Sequence, residues 1–140
     1  MIAFPETYLY AKDLNKVLKT LHDQKRYNKL VFYLEACESG SMFEDLLPKN
    51  FNIYATTAAN ATESSYACYY DEKRQTYLGD LYSVNWIEDS DKKSLKSESL
   101  VKQFEKVKKE TNLSHVQEYG DLRMGQLVLS QFQGNLIYSI

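Results

Sequence analysis

Leu30-Val31-Phe32-Tyr33-Leu34-Glu35-Ala36-Cys37-Glu38-Ser39-Gly40-Ser41 decides how the rest of this chain is read. Its five leading apolar residues have the length of a strand buried on both faces. They run into a carboxylate, a small residue and a thiol, after which small polar residues and a glycine take over. The order describes a core strand leaving its sheet and presenting Cys37 at its carboxyl end, where a helix begins. In open α/β sheets, ligands sit at the carboxyl ends of strands. Backbone N–H groups at a helix start favour a thiolate, so the functional reading of Cys37 is a nucleophile. On chemistry alone the competing reading is a small buried hydrophobe, the commoner state of a free cysteine.

Working outward, Tyr10, Leu14, Val17, Leu18 and Leu21 recur at helical spacing, with Asp13 as a candidate cap. Downstream, a short helix is expected from about Ser41 to Leu47, stopped by Pro48. Phe51, Ile53 and Ala55 alternate with Asn52, Tyr54 and Thr56 and predict a second strand. Strand, helix and strand at this spacing imply a parallel pair with a right-handed crossover, hence an α/β layered unit. From Thr57 to about Leu78 the chain reads as a polar loop, and loops of that length are usually functional. Leu81, Val84 and Ile87 predict a helix with Asp80 near its start. Leu100, Val101, Phe104 and Val107 predict another, supported by Glu98–Lys102 and Glu105–Lys109 at i,i+4. The charged stretch from Glu88 to Lys93 reads as a solvated loop. Two extended segments, Val116 to Tyr119 and Gln126 to Phe132, flank a Gly120-Asp121 turn.

The bulk values bound the function. A length of 140 residues suits one domain, and 44% hydrophobic with 26% charged residues is ordinary for a globular chain. A net charge of −2 argues against a nucleic-acid partner, and no apolar run reaches membrane-spanning length. The start, Met1-Ile2-Ala3-Phe4-Pro5, does not read as a signal peptide. Twelve tyrosines suit half-wet pockets in which a ring packs and a hydroxyl bonds. Cys37 and Cys68 do not make a disulfide framework. A bridge between them stays open on sequence, although free thiols are expected. His22 and His115 lie far apart and no Cys/His cluster has ligand spacing, so neither a metal site nor a cofactor is expected.

Four blocks in order carry a family resemblance: Glu35-Ala36-Cys37-Glu38-Ser39-Gly40-Ser41-Met42, Tyr54-Ala55-Thr56-Thr57-Ala58-Ala59-Asn60, Glu63-Ser64-Ser65-Tyr66 and Leu78-Gly79-Asp80-Leu81-Tyr82-Ser83. Together they resemble legumain, the asparaginyl endopeptidase family, and most closely its invertebrate and helminth members. The likeness runs from Ile2 to Gly134, so residues 1–134 are expected to form part of a legumain-like peptidase domain and residues 135–140 an unrelated tail. The fold this implies is caspase-like: a mostly parallel sheet flanked by helices.

The resemblance makes Cys37 the catalytic nucleophile of a cysteine-type endopeptidase that cleaves after Asn, and after Asp at acid pH. It assigns Glu35, Ser65 and Asp80 to the substrate-binding pocket. The chemistry is coherent, because an amide side chain offers N–H donors to carboxylates and a carbonyl acceptor to a cation. Tyr66 and Tyr77 become walls for more distant substrate residues; Tyr77 stands where plant relatives carry a cysteine paired with the loop cysteine. The family's catalytic histidine lies in an Asp-His-Gly segment that has no counterpart here, and its pocket arginine is also unmatched. Neither His22 nor His115 fits the missing position, and a thiol without a base is a poor nucleophile. The segment alone is therefore expected to be inactive. The sequons Asn60-Ala61-Thr62 and Asn112-Leu113-Ser114 are candidate glycosylation sites. They agree with the lysosomal, vacuolar or secreted location of the family. Expected partners are peptides or proteins with Asn before the scissile bond. Two other classes compete: a non-catalytic caspase-like interaction module that binds through a sheet edge, and an acyl transferase like the catalytic subunit of the GPI transamidase.

Overall fold

A computed structural model describes residues 1–134; the tail expected at 135–140 lies outside the described residues. The strand at the centre of the reading above is β3, Leu30–Leu34, following β1 (Ile2–Phe4), β2 (Thr7–Leu9) and helix α1 (Ala11–Asp23). It pairs in parallel with β4 (Ile53–Thr57), register Leu30↔Ile53 to Leu34↔Thr57. On the far side of β4 lies β7, Gln117–Gly120, antiparallel, with Tyr54 opposite Gly120. Of the mostly parallel sheet expected, the described residues thus contain one parallel and one antiparallel pairing.

The apolar run of β3 is explained by its two covered faces. Side chains alternate across a strand, and Leu30, Phe32 and Leu34 pack with Ile53 and Ala55 against Leu14 and Leu18 of α1. Tyr33 and Val31 face the other way. Tyr33 meets Tyr82 and Phe104, which belong to α2 (Leu81–Lys92) and α3 (Leu100–Glu110), and Val31 packs beside Tyr54, Leu100 and Leu129. The chain is a three-layer α/β/α unit. All five residues of β4 are buried, so the alternating pattern predicted from Phe51 gives way to a central strand that begins two residues later.

Several local expectations are corrected. Asp13 sits in the first turn of α1 rather than capping it; Tyr10 is the cap residue and offers no side-chain bond. The helix expected at Ser41–Leu47 is a single 3-10 turn, Ser39–Met42, followed by turns in which Asp45 has φ 56°. The long polar loop contains a hairpin, β5 (Ala67–Asp71) and β6 (Thr76–Asp80), antiparallel with Tyr70 opposite Tyr77. The charged stretch Glu88–Lys93 is no solvated loop: it lies in and just beyond α2, and Asp89 is only 1% exposed. Asp89 accepts from Lys106 Nζ at 2.7 Å and from Gln103 Nε2 at 3.3 Å, joining α2 to α3. Glu98 precedes α3, whose cap is Ser99 accepting from the Lys102 N–H; the i,i+4 contact that forms is Lys106 with Glu110. Gln126–Phe132 holds 3-10 turns and one isolated bridge, Ser99 to Val128, rather than a strand.

Candidate active site

Cys37 lies three residues past the carboxyl end of β3 and is exposed. It is not the packed hydrophobe of the competing reading. The helix invoked to favour its thiolate is absent, because one 3-10 turn aligns too few peptide dipoles to act as a macrodipole. What holds the thiol is a tight turn. Glu38 adopts φ 53°, and its N–H donates to the Glu63 carbonyl at 2.7 Å. Ser39 Oγ accepts from the Ala59 N–H at 3.1 Å, and the Gly40 N–H donates to the Ala59 carbonyl at 3.0 Å. The turn is pinned to the residues that follow β4. The Cys37 sulfur faces Ser65, 3.7 Å from its carbonyl oxygen and 3.9 Å from its hydroxyl.

Glu35 stands two residues earlier, half-buried where the chain leaves β3. Its Oε2 accepts the Ser83 N–H, from the first turn of α2, at 2.9 Å. Its Oε1 is buried and has no hydrogen-bond partner among the described residues. Burial is the chief cause pushing this carboxyl above its usual range. The Ser83 N–H, with the Ser83 and Ser65 side chains, opposes that, and the nearby Asp80 charge adds to it. Asp80 closes β6 and precedes α2; it is exposed and offers no capping bond. The structure therefore brings Cys37, Glu35, Ser65 and Asp80 to one end of the sheet, from three segments separated in sequence.

Cys68 lies in β5 rather than in a loop, opposite Gly79, and both cysteines are free. Burial, then the charges of Asp80, Glu35 and Glu88, push the Cys68 thiol upward, so its surroundings disfavour a thiolate. Tyr66 and Tyr77 are 48% and 56% exposed on this hairpin side, and Tyr77 packs edge-on against Tyr70 at 5.1 Å. His22 stacks on Phe51 at 4.3 Å, and His115 is bound to Glu63. Neither bonds the Cys37 sulfur. Of the sequons, Asn112 is exposed beyond α3, while Ser114 is buried and donates to the Ala58 carbonyl at 2.6 Å. Asn60 is half-buried, and its Oδ1 accepts the Thr62 N–H at 2.9 Å.

Two contributors escaped the sequence reading. Ser83 acts through its backbone N–H, which no side-chain pattern announces. Glu63 lies in one of the family blocks, but its carboxylate accepts from the Asn60 N–H and, 52 positions along the chain, from the His115 N–H.

The α/β/α layer presents an exposed thiol near a half-buried carboxylate just past the carboxyl end of a parallel strand, the place where open α/β sheets seat their ligands. The Peptidase C13 family model matches residues 1–135, and the chain belongs to that family of cysteine-type endopeptidases. It is 57% identical to human legumain over 134 residues, covering 96% of this chain and 31% of that protein. It is equally 57% identical over 136 residues to a hemoglobinase of Schistosoma mansoni, covering 96% and 32%. A vacuolar-processing enzyme of Vicia sativa is 51% identical over 138 residues, covering 91% and 28%. The chain thus spans about a third of the length of these relatives. The three-layer unit is part of their caspase-like fold. No helix among the described residues is long and apolar enough to cross a membrane.

Proposed function

We propose that this segment supplies the nucleophile and the acidic wall of the specificity pocket in an endopeptidase that cuts after asparagine, and after aspartate in acid. One observation carries the reading: Ser65 stands against the Cys37 sulfur at 3.7–3.9 Å and also beside Glu35, whose Oε1 is buried and unpartnered. A buried carboxylate oxygen without a donor is costly. A substrate carboxamide that displaces the cover over Oε1 donates there and relieves that cost, and the exposed Asp80 offers a second acceptor. An aspartate side chain offers a donor only when protonated, which restricts its cleavage to acid.

In the reaction the Cys37 thiolate attacks the peptide carbonyl carbon, the C–N bond breaks, and the amine leaves with a proton as a thioester forms. Water then releases the acid and restores the thiol. The N–H groups of Glu38, Gly40 and Ser41 are spent on fastening the turn. The Cys37 N–H takes no part in those bonds and is left to hold the oxyanion. Neither His22 nor His115 contacts the sulfur, and the family resemblance implies that the general base and the cation for the carboxamide oxygen belong to parts of such peptidases other than residues 1–134. The 140 residues alone are accordingly inactive. The vacuolar or lysosomal setting of such peptidases suits the acid-dependent second preference, and Asn112 is the better placed glycan acceptor.

The test is cleavage of peptides that differ only in Asn, Asp or Ala before one bond, using the complete polypeptide that carries this segment. Cutting after Asn at neutral and acid pH, after Asp only in acid, and loss of both in Cys37→Ala are expected. Equal cutting after Ala, or activity surviving Cys37→Ala, overturns the reading.

A further inference from the structure

The turn that presents Cys37 is only as rigid as the loop it leans on, residues 58–65. That loop receives the Glu38 N–H on the Glu63 carbonyl and the Gly40 N–H on the Ala59 carbonyl. Contact between the two is close: a Cβ on Gly40 would lie 2.8 Å from the Asn60 carbonyl carbon and 2.6 Å from the Tyr119 hydroxyl. The loop is itself closed by one side chain. Glu63 Oε1 accepts the Asn60 N–H at 2.8 Å and the His115 N–H at 2.8 Å, and Oε2 meets His115 Nδ1 at 2.7 Å. A single residue therefore ties three places. Its carbonyl holds the residue after the nucleophile, and its carboxylate holds the start of its own loop and the segment leading into β7. Some burial pushes the Glu63 carboxyl up, but the N–H donors and the His115 ring outweigh it and hold the group below its usual value.

We propose that Glu63 is a positioning residue for Cys37: by closing the 60–63 loop onto His115 it sets the carbonyl that fixes Glu38, and so the direction of the thiol. The proposal rests on reading Cys37 as the nucleophile. Glu63 touches no reacting atom on this account, so its loss slows turnover without weakening substrate binding. The oxygen matters more than the charge, because both N–H groups converge on Oε1. Glu63→Gln keeps an acceptor there and retains most of the effect, whereas Glu63→Ala removes it.

The experiment compares parent, Glu63→Ala and Glu63→Gln in the complete polypeptide that carries this segment. It measures amide hydrogen exchange over residues 38–43 and 53–57, and kinetics on an Asn peptide. In Glu63→Ala, exchange is expected to quicken at least about tenfold at 38–43 and not at 53–57. kcat should fall about 10- to 100-fold, the scale of a misplaced reacting group, with KM within about twofold. Glu63→Gln should restore both within a few-fold. Unchanged exchange at 38–43 in Glu63→Ala overturns the proposal, as does loosening spread equally over 53–57 or a loss confined to KM. If the parent itself does not cut after Asn, the proposed function fails, while the exchange comparison still decides whether Glu63 holds the turn.

Discussion

On the proposed function, Glu35 is where stability and specificity pull apart. Its carboxyl is raised above the usual range chiefly by burial. A raised acid is at its most favourable in the fold while protonated, and that advantage is lost as pH climbs through its folded value. Glu35→Gln should therefore melt higher than the parent at neutral pH, with the gap closing as pH falls below the carboxylate range. The same variant should lose preference for Asn over Asp, because a carboxylate acceptor is replaced. Thermal melts across pH, paired with peptide selectivity, check this; a variant less stable at neutral pH, or unchanged in selectivity, contradicts it. At this scale the sequence made the placement of Cys37 just past an apolar strand legible, while the roles given to Cys37 and Glu35 came from the family resemblance, since a lone thiol reads first as a packed hydrophobe. Glu63 and Ser83 were illegible because their roles depend on partners brought near by folding.

The elements show why pattern reading worked in the core and failed at the rim. α1 and α3 carry apolar residues at helical period because each buries one face, and β3 is an unbroken apolar run because both its faces are covered. The β5–β6 hairpin has almost no buried face and no Asn-Gly or Asp-Gly turn. Its turn is held by Asp71 accepting from the Arg74 N–H and side chain at 2.7 Å. The stretch 88–93 misled for the opposite reason, since a buried Asp89 paired with a partly exposed Lys106 looks like a solvated charge in sequence. Lys106→Met leaves the Asp89 carboxylate, with no exposure, without its cation. That should cost about 2 kcal/mol in chemical denaturation, between a surface pair and a fully buried one, because Lys106 is a third exposed and Gln103 still donates to Asp89. Asp89 holds the Lys106 ammonium above its ordinary value. The contribution of a raised base is complete below its unfolded value, so the cost should stay constant through neutral pH. A loss under about 0.5 kcal/mol, the level of a surface pair, contradicts this. Gly120 offers a sharper case: with φ +84°, a Cβ there would collide with the Ile53 carbonyl. Gly120→Ala should separate β7 from β4 and lower the melting temperature strongly; a near-parental melt contradicts that.

For the whole molecule, a layered α/β unit was legible from two strands joined at crossover spacing, whereas helices flanking the sheet were implied by the family resemblance alone. Among the described residues β3 is paired on one side only, with Leu30 to Tyr33 half-buried along it. An unpaired apolar edge templates association. The 140-residue chain by itself is therefore expected to show a mass that rises with concentration in sedimentation. A monomer with a cooperative melt contradicts that expectation. Acid should also loosen the fold. Asp121, lowered chiefly by its Arg123 partner, and Glu63 contribute stability above the carboxylate range that is lost as pH falls through their folded values.

The most direct measurement of the central claim treats the complete polypeptide with a thiol-directed covalent peptide ending in Asn, beside its Ala counterpart. Intact mass and adduct mapping then read the product. One adduct from the Asn probe, on Cys37 and not Cys68, blocked by free Asn peptide and lost in Glu35→Gln, is the predicted result. Equal labelling by the Ala probe, or an adduct on Cys68 in place of Cys37, would contradict it.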